Sequence, residues 1–342
     1  NKQPRTMALA PPCPTSLGRS KPISVFQVVS RRPALFQAFN KLDGVAMTAI
    51  ATMVGHRFAS RFTGRLRNLL HAIPPQNLFV PNNAEAAEVE LEVLGGAATH
   101  AGKPCNVSLV CIHGSYHAAW CYDRYFLDFF REKGFNAYAL SLRGQGNGKI
   151  NEKKPVAGTL EEHAADVASF VAHLEGQGQK VILLGHSFGG LITLQAAADL
   201  KNLAGLILLC SVPPSGNVGI ILRSLFRAPL QAFRITWGFI SRSFESDADL
   251  CREIFFDKAT PLADVEECMQ LMKTGCPQGT RLLDLRQLQR SLPVPTCTKP
   301  VLVLGGREDA IVDLEALEET AKAHQVKPII LEGVPHDAML SS

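Results

Sequence analysis

The most constraining feature of this chain is five residues long. Gly185-His186-Ser187-Phe188-Gly189, followed by Gly190, falls between an apolar run, Lys180 to Leu184, and a segment of helical spacing that begins near Phe188. A serine between glycines at such a junction predicts a sharp strand-to-helix turn that lifts the hydroxyl above the end of a sheet. Gly185 and Gly189 are expected where a side chain would collide with neighbouring backbone. The N–H groups of the following helix then point toward whatever reacts at the serine. Ser187 is the candidate nucleophile.

Around this turn the chain alternates. Short apolar runs bounded by turn residues recur at Val107 to Ile112, Phe135 to Ser141, Lys180 to Gly185, Gly205 to Cys210, Val301 to Gly305 and Pro328 to Leu331. Runs apolar on both faces are what buried parallel strands require. Helical patterns lie between them, at Tyr122 to Lys133, Leu160 to Leu174, Phe188 to Leu200 and Leu314 to His324. The alternation predicts an α/β fold with an open, doubly wound and mostly parallel sheet. From Glu88 to Leu94 glutamates alternate with Val89, Leu91 and Val93, the period of an edge strand with one wet face.

The rhythm fails from about 211 to 299. Ile220 to Phe233, Ala248 to Phe255 and Pro261 to Lys273 have helical spacing with Pro and Gly interruptions, and no strand-like run appears. A helical cap inserted between two core strands would lie over their carboxyl ends, where open α/β sheets bind ligands. Its Leu222, Leu225, Phe226, Leu230, Phe233, Ile235, Trp237, Phe239, Ile240 and Phe244 either line an apolar pocket or form the insertion's own core.

The 342 residues, 46% of them hydrophobic and 19% charged, suffice for one large globular domain and something smaller. The division expected is residues 1–75 as a basic arm and 76–342 as the folded domain. The formal net charge of +4 belongs to that arm: before Glu85 the sole acidic residue is Asp43, among many arginines and lysines. An Arg- and Ser/Thr-rich, acid-poor N-terminus has the composition of an organelle transit peptide, for a plastid or alternatively a mitochondrion. The other reading is a disordered arm that is never cleaved. Because the basic excess sits there, no nucleic-acid partner is expected of the folded part. The apolar run Val45 to Val54 is too short to span a bilayer, so no transmembrane segment is expected. Nine scattered cysteines, with no C-x-x-C pair, predict reduced thiols.

A serine hydroxyl needs a base within hydrogen-bond reach and an acid to orient that base. His336 follows the last strand candidate, in a loop expected at the same end of the sheet, and is the candidate base. The acid should follow Val301 to Leu304. Asp309 is favoured there, with Asp313, a candidate helix cap, and Glu308, a candidate exposed charge, as alternatives. Donors for a developing oxyanion are expected from the N–H of Phe188 and from that of Ser115, with Tyr116 the alternative to Ser115. His113 reads as a structural residue of its loop, and His163, His173 and His324 as surface histidines. Gly144-Gln145-Gly146-Asn147-Gly148 fits no phosphate-loop spacing and is expected to be a flexible loop.

Together, His113-Gly114 after an early strand, Leu142-Arg143-Gly144-Gln145-Gly146, the Gly185 to Gly190 motif, Asp309 and His336 resemble the α/β-hydrolase family over roughly Val107 to Ser342. Within it, His113-Gly114-Ser115-Tyr116-His117-Ala118-Ala119-Trp120 looks like a stretch of plant methylesterases and hydroxynitrile lyases. The whole chain looks closer still to capped α/β hydrolases of plants and algae that carry transit peptides. The resemblance implies a serine hydrolase that cleaves small carboxylic esters, with an apolar or lipid-like acyl group, through an acyl-enzyme on Ser187. Asp309 and His336 would be the partners of Ser187, and no metal or organic cofactor is implied. A hydroxynitrile lyase or acyltransferase using the same three residues is the alternative, and a non-enzymatic binding protein on that scaffold a third. Such proteins continue with a helix beyond the histidine, so the chain, starting at Asn1 and stopping at Ser342, is expected to be shortened at both ends.

Overall fold

Strands and helices alternate in the computed structural model as the apolar runs require, and the strands join in one eight-stranded sheet. The structure describes residues 76–80, 89–99, 106–148, 156–276, 282–283 and 300–340. The basic arm expected over 1–75 lies outside the described residues, as does the stretch 284–299 of the insertion. In chain order the strands are β1 Gln76–Val80, β2 Val89–Gly96, β3 Val107–Ile112, β4 Asn136–Ser141, β5 Lys180–His186, β6 Gly205–Leu209, β7 Val301–Gly306 and β8 Ile329–Leu331. Their spatial order is β1-β2-β4-β3-β5-β6-β7-β8. β1 and β4 both run antiparallel to β2, and every later pair is parallel.

The register fixes the working end of the sheet. Ile112 pairs with Gly185, His186 with Leu209 and Gly306 with Leu331. The segments leaving β3, β5, β6, β7 and β8 therefore emerge side by side at the carboxyl ends.

Among the described residues five helices flank the sheet: α1 Trp120–Asp123, α2 Phe126–Glu132, α3 Leu160–Gly176, α4 Phe188–Asp199 and, later in the chain, α9 Leu314–Ala323. The single helix expected over Tyr122 to Lys133 is thus two short ones. Thr159 and Glu162 close a reciprocal capping box at the start of α3, and Asp313 caps α9 by accepting from Ala316 N–H at 3.0 Å. Strand residues alternate between faces. Leu109, Cys111, Ile182 and Leu184 pack with Tyr122, Phe126 and Phe130. Val110, Ile112, Leu183 and Leu206 pack with Leu160, Val167, Leu191 and Ile192.

The insertion contains α5 Val218–Arg227, α6 Pro229–Ser241, a 3-10 turn at Ser243–Glu245, α7 Ala248–Phe255 and α8 Leu262–Gly275. The helical spacing over Ile220 to Phe233 divides into two helices at Ala228, because Pro229 favours the first turn of a new helix. Leu250, Ile254, Val265, Met269 and Met272 of α7 and α8 join the core on the α1–α2 face.

Three sequence expectations are corrected here. β2 is not an edge, since β1 lies outside it, and its Glu92 is buried because Ser141 Oγ and Asn147 Nδ2 both donate to its carboxylate at 2.5 Å. Gly144 to Gly148 is a packed loop. Gly146 N–H donates to Gly275 O, and Arg143, just before the loop, makes two 2.6 Å bonds to Asp166 of α3. His163 is not a surface residue: it is fully buried, and its ring bonds Leu282 O at 2.8 Å. Burial pushes its pKa down to about 4, so it is neutral.

Candidate active site

Ser187 stands between β5 and α4 with φ 54° and ψ −125°. A positive φ is uncommon for a residue with a side chain and marks a conformation held by its surroundings. Here Ser187 N–H donates to Leu209 O, while Ser187 O accepts from Gly190 and Val212 N–H. The turn also leaves no room beside it. A Cβ on Gly189 would lie 2.4 Å from His113 O, and one on Gly114 would lie 2.7 Å from Ser187 Cβ. The loop after β3 can therefore press against the serine turn only because both residues are glycine.

His336 and Asp309 come from the loops after β8 and β7. His336 Nδ1 is 2.9 Å from each carboxylate oxygen of Asp309. Asp309 Oδ1 also accepts from Ile311 and Val312 N–H at 2.8 and 2.9 Å, which fixes the carboxylate's orientation. A proton on Nδ1, required by this pairing, leaves Nε2 as the basic nitrogen. Burial alone would lower the His336 pKa, but the charge and hydrogen bond of Asp309, with Asp337 adding, raise it above the ordinary imidazole value. Cys210 lies against the same carboxylate, and burial with the Asp309 charge pushes its thiol well up, so it stays protonated.

Ser187, His336, Asp309, Ser115 and Phe188 all line one cavity of about 640 Å³. Its far wall is the cap, through Ile220, Ile221, Ala232, Ile235, Phe239 and Ile240. Asp313 caps α9 and accepts two bonds from Arg223, and Glu308 is exposed, so of the three acids considered Asp309 is the one bonded to His336. His113 is structural, as its position suggested. Nδ1 bonds Gly114 O, and Nε2, pushed by burial to a pKa of about 3, accepts from Leu142 N–H.

The apolar cap residues divide differently from either expectation. Ile235, Phe239 and Ile240 line the cavity and Phe244 is buried in the core, but Leu222, Leu225, Phe226, Leu230, Phe233 and Trp237 are exposed on the outer face. Helical period alone does not say which apolar side faces inward.

Sequence reasoning gave no role to His186, His117 or Asp337, and named Tyr116 only as an alternative oxyanion donor. Tyr116 has φ 66° and reaches up to the cap, where its hydroxyl donates to Phe239 O at 2.7 Å and its ring stacks on Phe239. His186 lies 4.8 Å from the His336 ring between centroids, with Nε2 donating to His336 O at 3.0 Å. His117 and Asp337 pair behind them at 2.8 Å. His117 was visible in the His-x-x-x-His spacing after β3, but nothing local signals its partner 220 residues away. His186, His336 and Asp337 offer ligand atoms within 4.8 Å of one another, and so do Cys210, Asp309 and His336. Both sets share His336, whose Nδ1 is already bonded to Asp309.

A mostly parallel eight-stranded sheet, a serine on its sharpest strand-to-helix turn, a His–Asp pair on the two following loops and a helical cap define the α/β-hydrolase architecture. The family model described as the alpha/beta hydrolase family matches residues 109–342, and the chain belongs to that family. The rice protein named Probable esterase PIR7A (Oryza sativa subsp. indica) is 31% identical over 122 residues, 34% of this chain and 44% of its own length. Methyl jasmonate esterase 1 of Vitis vinifera is 37% identical over 83 residues, 24% of this chain and 30% of its own. The matched stretch is thus less than half the length of these curated relatives. Among solved structures, an esterase from Exiguobacterium antarcticum superposes with a TM-score of 0.56 at 18% identity, over 73% of this chain and 89% of that one, a likeness of fold.

Proposed function

We propose that the protein hydrolyses carboxylic esters through an acyl-enzyme on Ser187. The observation that carries the reading is the placement of Ser187 and the Asp309-bonded His336 in one cavity roofed by apolar cap residues. Ser187 Oγ would attack the ester carbonyl as its proton passes to His336 Nε2. The oxyanion would be met by Ser115 and Phe188 N–H, and His336 would return the proton to the leaving alkoxide. Water, deprotonated by the same nitrogen, would then attack the acyl carbon, releasing the acid and restoring the serine. Neither half-reaction requires a metal or organic cofactor. Matches to plant proteins named as esterases support the reaction class, and Ile220, Ile235 and Phe239 favour an apolar acyl group.

We place this activity in a plastid, with a mitochondrion as the alternative, on the composition of residues 1–75. Imaging a fluorescent fusion to that segment tests the location. The ester reading is tested with p-nitrophenyl esters of increasing acyl length and with a fluorophosphonate probe. Hydrolysis, together with a probe adduct mapped to Ser187, supports it. A folded protein that turns over no ester and takes up no probe sinks it. Probe uptake with product formed only when an acceptor alcohol is added points instead to an acyltransferase.

A further inference from the structure

Behind the serine, histidine and aspartate lies a second histidine–carboxylate pair that the reaction above does not use. His117 Nδ1 is 2.9 Å from Ser115 O, and His117 Nε2 is 2.8 Å from Asp337 Oδ2. Both side chains are buried, at 1% and 0% exposure. Ser115 is the proposed oxyanion donor, and Asp337 directly follows the proposed base. The pair thus ties the loop after β3 to the loop after β8, and the His117 ring is itself held between Trp120, stacked at 5.3 Å, and the edge of Phe255.

We propose that His117 and Asp337 are positioning residues, a buried imidazolium–carboxylate clamp that fixes the oxyanion donors relative to His336 and holds a negative charge behind that base. The proposal rests on the ester-hydrolase reading for its consequences, but the clamp itself rests on hydrogen-bond arithmetic. A backbone carbonyl can only accept, and an ionised carboxylate can only accept, so each nitrogen of His117 must carry a proton. Asp337 is ionised: burial would raise its pKa, but the charge and hydrogen bond of His117 hold it below the ordinary carboxylate value.

The remaining groups around the pair are neutral. His186 Nε2 lies 3.9 Å from Asp337 Oδ1, but burial and the nearby His336 push the His186 pKa down to about 3. The thiols of Cys121, Cys251 and Cys268 near Asp337 are pushed up by burial and stay protonated. Facing His336 are Asp309, Asp337, neutral His186 and the protonated thiol of Cys210. When His336 takes the serine proton, Asp337 therefore adds its charge to that of Asp309 in stabilising the imidazolium. A buried ion pair gains little stability over a well-packed apolar pair of equal volume, so geometry and charge are the better reason for this one.

The experiment combines histidine ring 15N NMR at neutral pH with the pH profile of kcat/KM for wild type, Asp337→Asn, His117→Gln and the double variant, each with a thermal unfolding scan. We expect wild-type His117 to show the doubly protonated signature and Asp337→Asn to lose it. Asp337→Asn should lower kcat about 10- to 100-fold, the size of effect that follows loss of alignment in a preorganised site, with KM within about 2-fold. Its acid limb should move to lower pH, because His336 loses a charge that favours its protonated form. The double variant should be within about 3-fold of the worse single one, since both break the same clamp. A neutral His117 in the wild type overturns the clamp. So do additive losses, or a loss of rate that follows loss of Tm while the acid limb stays fixed. A wild type inert toward every ester but with a doubly protonated His117 overturns the ester reading and leaves the ion pair standing.

Discussion

Around Ser187 the buried polar groups are fixed by specific partners, whereas on α5 and α6 most of the large apolar side chains, Phe239 excepted, turn toward solvent. On the floor, Asp309 is held by two backbone N–H groups and His336, His336 by Asp309 and His186, and Ser187 by Leu209, Gly190 and Val212. On the roof, Phe226 is 87% exposed and Leu230 is 86% exposed. An unpaired polar group in a dry interior loses its hydration without recompense, so the floor tolerates little change. The roof contributes shape through a few inward residues. The two regions should therefore respond to substitution by very different amounts.

The comparison is broken most directly at Ser187. Ser187→Ala removes the proposed nucleophile, and the expected loss in kcat is about 10⁴-fold or more, or about 5.5 kcal/mol of barrier. Steady-state hydrolysis of a p-nitrophenyl ester measures it. A variant retaining a tenth of the wild-type rate would mean that the floor is not where the chemistry happens. Asp309→Asn comes next, because an amide cannot hold the imidazole tautomer that leaves Nε2 basic, and a fall of about 10³- to 10⁴-fold is expected. Its pH profile carries the sign. The wild-type His336 pKa is raised, chiefly by Asp309 once burial is offset, so the acid limb should lie above the ordinary imidazole value of about 6.5. In Asp309→Asn the limb should move down, and a limb that moves up removes Asp309 as the partner of the base.

The floor was also the more legible region in the sequence. Gly185, Ser187 and Gly189 announce a turn whose sterics admit few alternatives, and the order of strands carries His336 and Asp309 to the same end of the sheet. What the sequence hid depends on contacts between distant segments. Glu92 looked like a wet strand residue because the alternation of β2 is local, but its solvent is replaced by Ser141 and Asn147, some fifty positions away. His163 looked exposed because a helical wheel cannot show that Leu282 will cover it. On the roof, α5 gathers Val218, Ile221, Leu222, Leu225 and Phe226 on one face and that face is the exposed one, while α6 spreads its apolar residues around much of its circumference, so the period did not select the face that meets the cavity.

Tyr116 is where the two regions touch, and it sharpens the comparison. Tyr116→Phe keeps the ring on Phe239 and Phe244 and removes the bond to Phe239 O. Losing one neutral hydrogen bond costs about 0.5–1.5 kcal/mol. We expect KM for a long-chain ester to rise by about 2- to 10-fold and kcat to change less, because the bond fixes the cap and not the serine. A fall in kcat at unchanged KM would mean that the bond to the cap also holds the loop that carries the oxyanion donors.

The smallest effect should come from the outer roof. Phe226→Ser and Leu230→Ser, combined, remove two side chains that bury little area in the isolated chain, so burial argues for no loss of folding free energy beyond about 0.5 kcal/mol. Both lie on the hairpin whose inward residues Ile220 and Ile235 line the cavity, so they test whether the two faces are independent. With a short, soluble ester, kcat/KM should stay within about 2-fold of wild type, and the unfolding midpoint should shift by no more than a few degrees. A large loss of rate with this substrate would mean that the outward face supports the shape of the inward one, and the hairpin would then be a single packed unit whose apolar exterior is part of the site.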